Sequence, residues 1–206
     1  GNNSAFGRLA RMCRISPRRF ERHPTYGDGN RLDLSCLRIM MNGSEPVTVQ
    51  AMEAFQREFG PFGLHREALS PVYGLAEMAL AVSFPDLAAP YRVFRERGEE
   101  WVSVGKPLPG LQIRIVDREG NELPPGRLGE LIVAGPSMMD GYFGDPAATA
   151  QVIRERHGQR WLYTGDEGMI DAAGEIYITG RLKEVVIKGG RNYAPTNLEE
   201  VIEQAE

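Results

Sequence analysis

Cysteine is scarce. The 206 residues hold two, Cys13 and Cys36, with no CxxC pair and no histidine–cysteine cluster. A disulfide framework and a zinc site are therefore unsupported, and a reducing compartment, the cytoplasm, is expected. No apolar run reaches membrane-spanning length, and the first residues carry no signal-peptide pattern. No basic stripe exists either. The formal net charge is -4 and the pI about 5.6, which argues against a nucleic-acid partner. The densest basic run, Arg8, Arg11, Arg14, Arg18 and Arg19, reads as a solvated helix face and the loop after it. Internal repeats and low-complexity tracts are absent. So is an initiating methionine: the chain opens on Gly1 and closes on Glu206 inside a helical pattern. Both ends are expected to be cuts in a longer protein.

What is present is an ordinary globular composition, 42% hydrophobic and 25% charged, over a length that fits one large domain or two small ones. Residues 5–19 have a helical apolar face, Phe6, Leu9, Ala10 and Cys13. A short apolar run, 37–41 (LRIMM), predicts a buried strand. Gly43-Ser44-Glu45-Pro46 breaks it, and 48–59 predicts a helix with Met52, Phe55 and Phe59 on one face. That order is a βα unit. Residues 69–73 lead into a second such turn at Tyr73-Gly74, with a short apolar helix expected over 75–82. After Phe84 the texture changes to short strands, predicted at 101–104, 112–117, 129–134, 168–170 and 175–179. They suggest a small sheet or barrel. One helix interrupts them, with Asp145 as N-cap and Pro146 as its first residue, running to about Arg154. Beyond Arg181 the pattern predicts a strand at 184–188, a turn at Gly189-Gly190, and a helix at 195–205 opened by a Thr196/Glu199 capping box.

Four local patterns could carry chemistry. Tyr73-Gly74-Leu75-Ala76-Glu77 sets a ring, a glycine and a carboxylate at a strand-to-helix turn. The ring can stack on a base, Gly74 permits close approach of backbone to a ligand, and Glu77 can offer hard oxygen to Mg²⁺. Tyr163-Thr164-Gly165-Asp166 puts a carboxylate at a turn, where it can accept hydrogen bonds from a ribose diol. In Gly180-Arg181-Leu182-Lys183-Glu184 the arginine can read phosphate or ribose with a forked geometry. Gly43-Ser44-Glu45-Pro46 lies at the carboxyl end of a predicted strand, where open α/β sheets bind ligands. Taken singly, each pattern reads at least about as readily as a turn, a cap or a charged hairpin.

Their order is far more specific. The segments LDLSCLRIMMNGSEPV (32–47), PVYGLAEMALAVSF (71–84), VGKPLPGLQIRIVD (104–117), GRLGELIVAGPSMMDGYFGDPAAT (126–149), YTGDEG (163–168) and GRLKEVVIKGGRNYAPTNLEE (180–200) together resemble the adenylate-forming superfamily. That superfamily comprises acyl-CoA synthetases, fatty acyl-AMP ligases and adenylation domains, and the resemblance is strongest to the fatty acyl-AMP ligase branch. It implies an α/β fold of the adenylate-forming type, in part. Residues 1–107 would be part of the N-terminal α/β subdomain, 108–181 a β-barrel subdomain, and 182–206 the beginning of a mobile C-terminal domain. It implies that Tyr73 stacks on adenine, with Gly43, Ser44, Glu45 and Pro46 on the ring's other side. Gly74 and Ile178 would belong to the nucleotide pocket. Glu77 would coordinate Mg²⁺ and serve catalysis, Asp166 would hold the ribose hydroxyls, and Arg181 would contact ribose or phosphate. Lys183 would be the interdomain hinge, and Gly189-Gly190 would lie in the loop that swings in for the second half-reaction.

The implied activity is ATP-dependent conversion of a carboxylic acid, a fatty acid first of all, into an acyl-adenylate. The acyl group would then pass to coenzyme A or to the phosphopantetheine of an acyl carrier protein, with a lean to the carrier from GRNYAP (190–195). Two parts of the family pattern are missing. No Ser/Thr/Gly-rich phosphate loop is found; Gly105-Lys106-Pro107 reads as a plain turn. Nor is the catalytic lysine that the family carries near its C-terminus. The 206 residues alone are expected to be inactive. The competing reading is a non-catalytic nucleotide-binding or interaction module on the same fold. A luciferin-type oxidising enzyme is a distant third.

Overall fold

In the computed structural model the described residues are 3–16, 32–96, 98–182, 186–188 and 191–193. They fall into two compact units, one built from 1–73 and 84–105, the other from 74–83 and 106–206.

The first unit packs two helices beside a pair of parallel strands. Helix α1 (Asn3–Ile15) buries Phe6, Ala10 and Cys13, a spacing that keeps one helical face inward. It ends at Ile15, short of the 5–19 span the sequence predicts, because Pro17 disfavours helical backbone in the residue before it. Strand β1 (Met40–Asn42) lies two residues beyond the predicted centre. Residues 37–39 stay out of it, and Leu37 instead closes a turn by donating its N–H to the Leu34 carbonyl. Helix α2 (Val49–Phe59) is capped by Thr48, whose hydroxyl accepts the Ala51 N–H. Its Val49, Met52, Phe55 and Phe59 face the core. The Phe55 ring sits 4.5 Å from both Phe6 and Phe59, so one aromatic column joins the two helices. Strand β2 (Leu69–Pro71) pairs parallel to β1, with Asn42 opposite Pro71. Strands β3 (Val93–Glu96) and β4 (Glu99–Val102) form an antiparallel hairpin, of which the sequence reading anticipated only the second.

The second unit is organised by a five-stranded antiparallel sheet. Strands β5 (Gln112–Val116) and β6 (Gly129–Ala134) match the predicted runs. Leu131, Ile132, Val133 and Ala134 are all fully buried, so β6 is covered on both faces and its side chains show no alternation. Helix α3 (Pro146–Val152) has the predicted cap: Asp145 Oδ1 accepts the Ala148 N–H at 2.8 Å. It ends before Arg154 because the chain turns into strand β7 (Ile153–Arg156). That strand pairs with β8 (Gln159–Ile170) through the two-residue loop His157-Gly158, both at positive φ, +53° and +74°. Such a loop matches the right-handed twist of a hairpin. Strand β9 (Ile176–Arg181) completes the order β9-β8-β6-β5, with β7 also on β8. A last antiparallel hairpin joins β10 (Val186–Lys188) and β11 (Arg191–Tyr193). The helix predicted over 195–205 lies outside the described residues. Among the described residues no helix is long and apolar enough to cross a membrane.

Candidate active site

In the first unit the turns at Gly43 and Tyr73 lie side by side. Strands β1 and β2 run parallel and in register, and the ladder continues with Val72 N–H donating to the Asn42 carbonyl at 2.8 Å. Both turns therefore leave the carboxyl ends of neighbouring parallel strands. Gly43 is buried there, and a methyl group on it would meet the Val72 carbonyl oxygen at 2.7 Å. Ser44 takes a positive φ of +76°, uncommon for a residue with a side chain. Glu45 is tied back to the first turn of α1: it accepts hydrogen bonds from the Ser4 N–H at 2.6 Å and the Ser4 hydroxyl at 2.9 Å. Pro46 and Tyr73 are half-buried.

In the second unit the chain folds back on itself between Gly74 and Leu80. The helix predicted over 75–82 does not form. A single 3₁₀ turn, Ala76–Met78, is followed by Ala79 and Leu80 in the left-handed region, at φ +52° and +82°. The physical reason is the close approach at Gly74. A methyl group there would lie 1.6 Å from the Leu80 carbonyl oxygen, so the turn closes only over glycine. Backbone in sparsely populated regions of this kind gathers at functional sites. Glu77 sits half-buried in the middle of the turn. Its Oε1 accepts the Tyr142 hydroxyl hydrogen at 2.7 Å, and its carbonyl accepts the Met139 N–H at 2.8 Å. The hydrogen bond to that carboxylate, then burial, then the Glu77 charge, push the Tyr142 phenol above its ordinary range. No group of three or more acidic, histidine or cysteine side chains suited to a metal occurs among the described residues. One half-buried carboxylate outside any ion pair among the described residues does suit Mg²⁺, which keeps its waters and shares its remaining positions with phosphate oxygens.

Asp166 is placed differently from the sequence expectation. The Tyr163–Asp166 run is not a turn before a strand; it lies inside β8, at an irregularity. Tyr163 is opposite Ile132 and Glu167 opposite Glu130, so residues 164–166 stand against Leu131 alone. The two extra residues make a bulge, which several hydrogen bonds pin. Thr164 Oγ1 donates to the Leu131 carbonyl at 2.9 Å and accepts the Asp166 N–H at 3.0 Å. The Gly165 N–H donates to Glu130 Oε1 at 3.1 Å, and its carbonyl accepts the Leu182 N–H at 2.9 Å. Asp166 is buried, and its Oδ1 lies 3.1 Å from Arg181 Nε. Arg181, at the end of β9, is its cross-strand partner. Ile178, half-buried, faces Gly168 two steps along the same ladder, past a register shift.

Within the second unit, then, the fold joins Asp166, Ile178 and Arg181 on adjacent strands, while Gly74 and Glu77 share one closed turn. Lys183 and Gly189-Gly190 lie outside the described residues. Gly105 of the Gly105-Lys106-Pro107 run is closed against backbone. Its φ is +85°, and a methyl group on it would sit 2.0 Å from the Phe84 carbonyl oxygen. The run is not the plain turn the sequence predicts, because Lys106-Pro107 forms a short strand; the backbone at Gly105 is packed too tightly to serve as a phosphate cradle. Sequence reasoning gave no role to Tyr142, Thr164 or Glu130. Tyr142 meets Glu77 across 65 positions of chain, so no local spacing could reveal the pair.

Parallel strands ending in glycine-containing turns, together with a bulged antiparallel sheet, fit the adenylate-forming enzyme fold. A family model of AMP-binding enzymes matches residues 5–143, and the chain belongs to that family. It is 35% identical over 207 aligned residues to the long-chain-fatty-acid–AMP ligase FadD32 of Mycolicibacterium smegmatis, covering 84% of this chain and 33% of that protein. It is 34% identical over 177 residues to the nonribosomal peptide synthetase acyN of Ascocoryne sarcoides, covering 86% of this chain and 18% of that protein. Among solved structures, one from a study of fatty acyl-adenylate ligases of E. coli and L. pneumophila superposes with a TM-score of 0.83 at 30% identity, over 99% of this chain and 37% of that one. The chain thus spans from 18% to 37% of the length of these three proteins.

Proposed function

We propose that these residues form the nucleotide-handling part of an enzyme that activates a carboxylic acid, a fatty acid first of all, with ATP. The observation that carries the reading is Asp166. A buried carboxylate sits on a two-residue bulge whose backbone is held by Thr164, and Arg181 contacts the carboxylate itself. A carboxylate is acceptor-only when ionised, which suits the two adjacent hydroxyl donors of a ribose.

On this reading Tyr73 stacks on the adenine and the 43–46 turn flanks it. Asp166 and Arg181 hold the ribose, and Ile178 gives the pocket an apolar wall. Glu77 offers oxygen to Mg²⁺, whose charge offsets that of the phosphates. The substrate carboxylate oxygen attacks the α-phosphorus, the bond from that phosphorus to the β-bridging oxygen breaks, and pyrophosphate leaves. What the protein supplies is alignment and charge. The thiol of coenzyme A or of a carrier protein's phosphopantetheine then attacks the acyl carbon and AMP departs. Residues 108–181 are proposed as the sheet subdomain of the larger enzyme, with residues 182–206 opening its C-terminal domain at the Lys183 hinge.

The test is ATP–pyrophosphate exchange by the full-length gene product with a panel of fatty acids, beside the same protein carrying Asp166→Ala. Exchange that depends on the acid and drops about a hundredfold in the variant is the expected result. Absence of exchange with every acid, while ATP still binds, overturns the ligase reading and leaves a nucleotide-binding module. Supplying coenzyme A or a carrier protein bearing free phosphopantetheine, and following acyl transfer to the thiol, identifies the acceptor.

A further inference from the structure

Glu77 has no positively charged partner among the described residues. What holds its carboxylate is a neutral hydroxyl, that of Tyr142, at 2.7 Å from Oε1. The distinction matters. A lysine or arginine would orient the carboxylate but cancel its charge. A phenol orients it and leaves the charge for another cation.

Tyr142 is itself held firmly. Its main-chain N–H donates to Thr149 Oγ1 at 2.9 Å. Thr149 Oγ1 donates to the Asp145 carbonyl at 2.8 Å, and Asp145 caps α3. Gly141 keeps this contact close: a methyl group there would lie 2.8 Å from Thr149 Cγ2. From the same loop the Met139 N–H reaches the Glu77 carbonyl at 2.8 Å. The loop thus grips Glu77 twice, once on the backbone and once on the carboxylate, from a base anchored on a capped helix.

We infer that Tyr142 is a positioning residue for Glu77: by occupying Oε1 it fixes the carboxylate and leaves Oε2 for a divalent cation that accompanies the nucleotide phosphates. The inference rests on the proposed metal-facing role of Glu77. It adds a residue that acts through Glu77 and carries no charge of its own.

The experiment is a Mn²⁺ titration, followed by the electron paramagnetic resonance signal of the free ion. It uses the full-length gene product saturated with a non-hydrolysable ATP analogue. Metal-free AMP binding is measured beside it. Tyr142→Phe is expected to weaken Mn²⁺ binding roughly fivefold, the loss of one hydrogen bond, with AMP affinity unchanged. Thr149→Val, which frees the Tyr142 backbone, shifts Mn²⁺ in the same direction and decides the matter should Tyr142→Phe not fold. Phe143→Ala, at the fully exposed neighbour, leaves both affinities as they were. If Tyr142→Phe binds Mn²⁺ like the unaltered protein while Glu77→Gln does not, the positioning role is wrong and the reading of Glu77 stands. If Glu77→Gln also binds Mn²⁺ normally, the metal-facing role of Glu77 is wrong and this inference goes with it. Parallel loss of Mn²⁺ and AMP binding in Tyr142→Phe would mean that the tyrosine only supports the fold, which overturns the proposal.

Discussion

Asp166 and Arg181 stand opposite each other on β8 and β9, and their side chains close to 3.1 Å between Oδ1 and Nε. The pair is asymmetric: the Asp166 side chain is 8% exposed, that of Arg181 60%. Most of the desolvation therefore falls on the carboxylate. Arg181→Ala should cost about 1–2 kcal/mol in urea unfolding, because it removes a charged donor from a buried acceptor. Arg181→Lys should recover only part of this, since an ammonium cannot copy the planar guanidinium fork. Equal stability of all three proteins would show that solvent already meets the needs of Asp166.

The turn around Glu77 depends on glycine at one place above others. Gly74→Ala puts a carbon 1.6 Å from the Leu80 carbonyl oxygen, a backbone atom that cannot swing aside. Gly43→Ala meets the Val72 carbonyl at 2.7 Å, a milder conflict. Thermal unfolding should rank them, with a cost of about 3 kcal/mol or more for Gly74→Ala and about 1 kcal/mol for Gly43→Ala. The reverse ranking would contradict the close approach described at Gly74.

The two cysteines should separate chemically. Cys36 is exposed, whereas Cys13 is buried beneath α2 with its thiol 3.7 Å from the Glu58 carbonyl. Mass spectrometry after brief treatment with a maleimide should find Cys36 modified and Cys13 intact. Burial first, and then the charge of Glu58, push the Cys13 thiol above its ordinary value of 9.0. The folded state thus favours the protonated thiol. That contribution is fully present below the unfolded pKa and is lost as pH rises through the folded one. Stability should decline above about pH 9, and Cys13→Ala should flatten that decline.

The aromatic column of the first unit sets its stability. Phe55, 2% exposed, touches Phe6 on one side and Phe59 on the other. Phe55→Ala should destabilise this unit by about 3–5 kcal/mol, whereas Phe55→Leu should cost less because it leaves a smaller void. Hydrogen exchange resolves the effect best. Protection should fall in α1 and α2 while the β6 and β8 amides keep theirs.

Much of this fold follows from local chemistry. The α2 face, the Asp145 cap and the β5 and β6 runs all come from periodicity, capping residues and turn residues within a few positions of each other. The helix predicted over 75–82 failed for a reason outside that window: its apolar residues fit a helix, but the return of Leu80 over Gly74 forbids one. Strand β7 was hidden in the tail of α3, since residues 153 and 154 continue the helical pattern until pairing with β8 overrides it.

The sequence by itself determined the class. Six ordered segments carried the family resemblance, because a site that binds one ligand needs particular residue types at particular turns. It also named the carboxylates, since acidic groups beside glycine turns have recognisable local chemistry. Only the tertiary structure decided how those groups are held. The bulge at 164–166, the cross-strand Asp166–Arg181 contact and the Tyr142–Glu77 hydrogen bond join residues two to 65 positions apart. Contacts over that range are set by strand register and by where a loop lands, and these are settled only when the whole sheet packs.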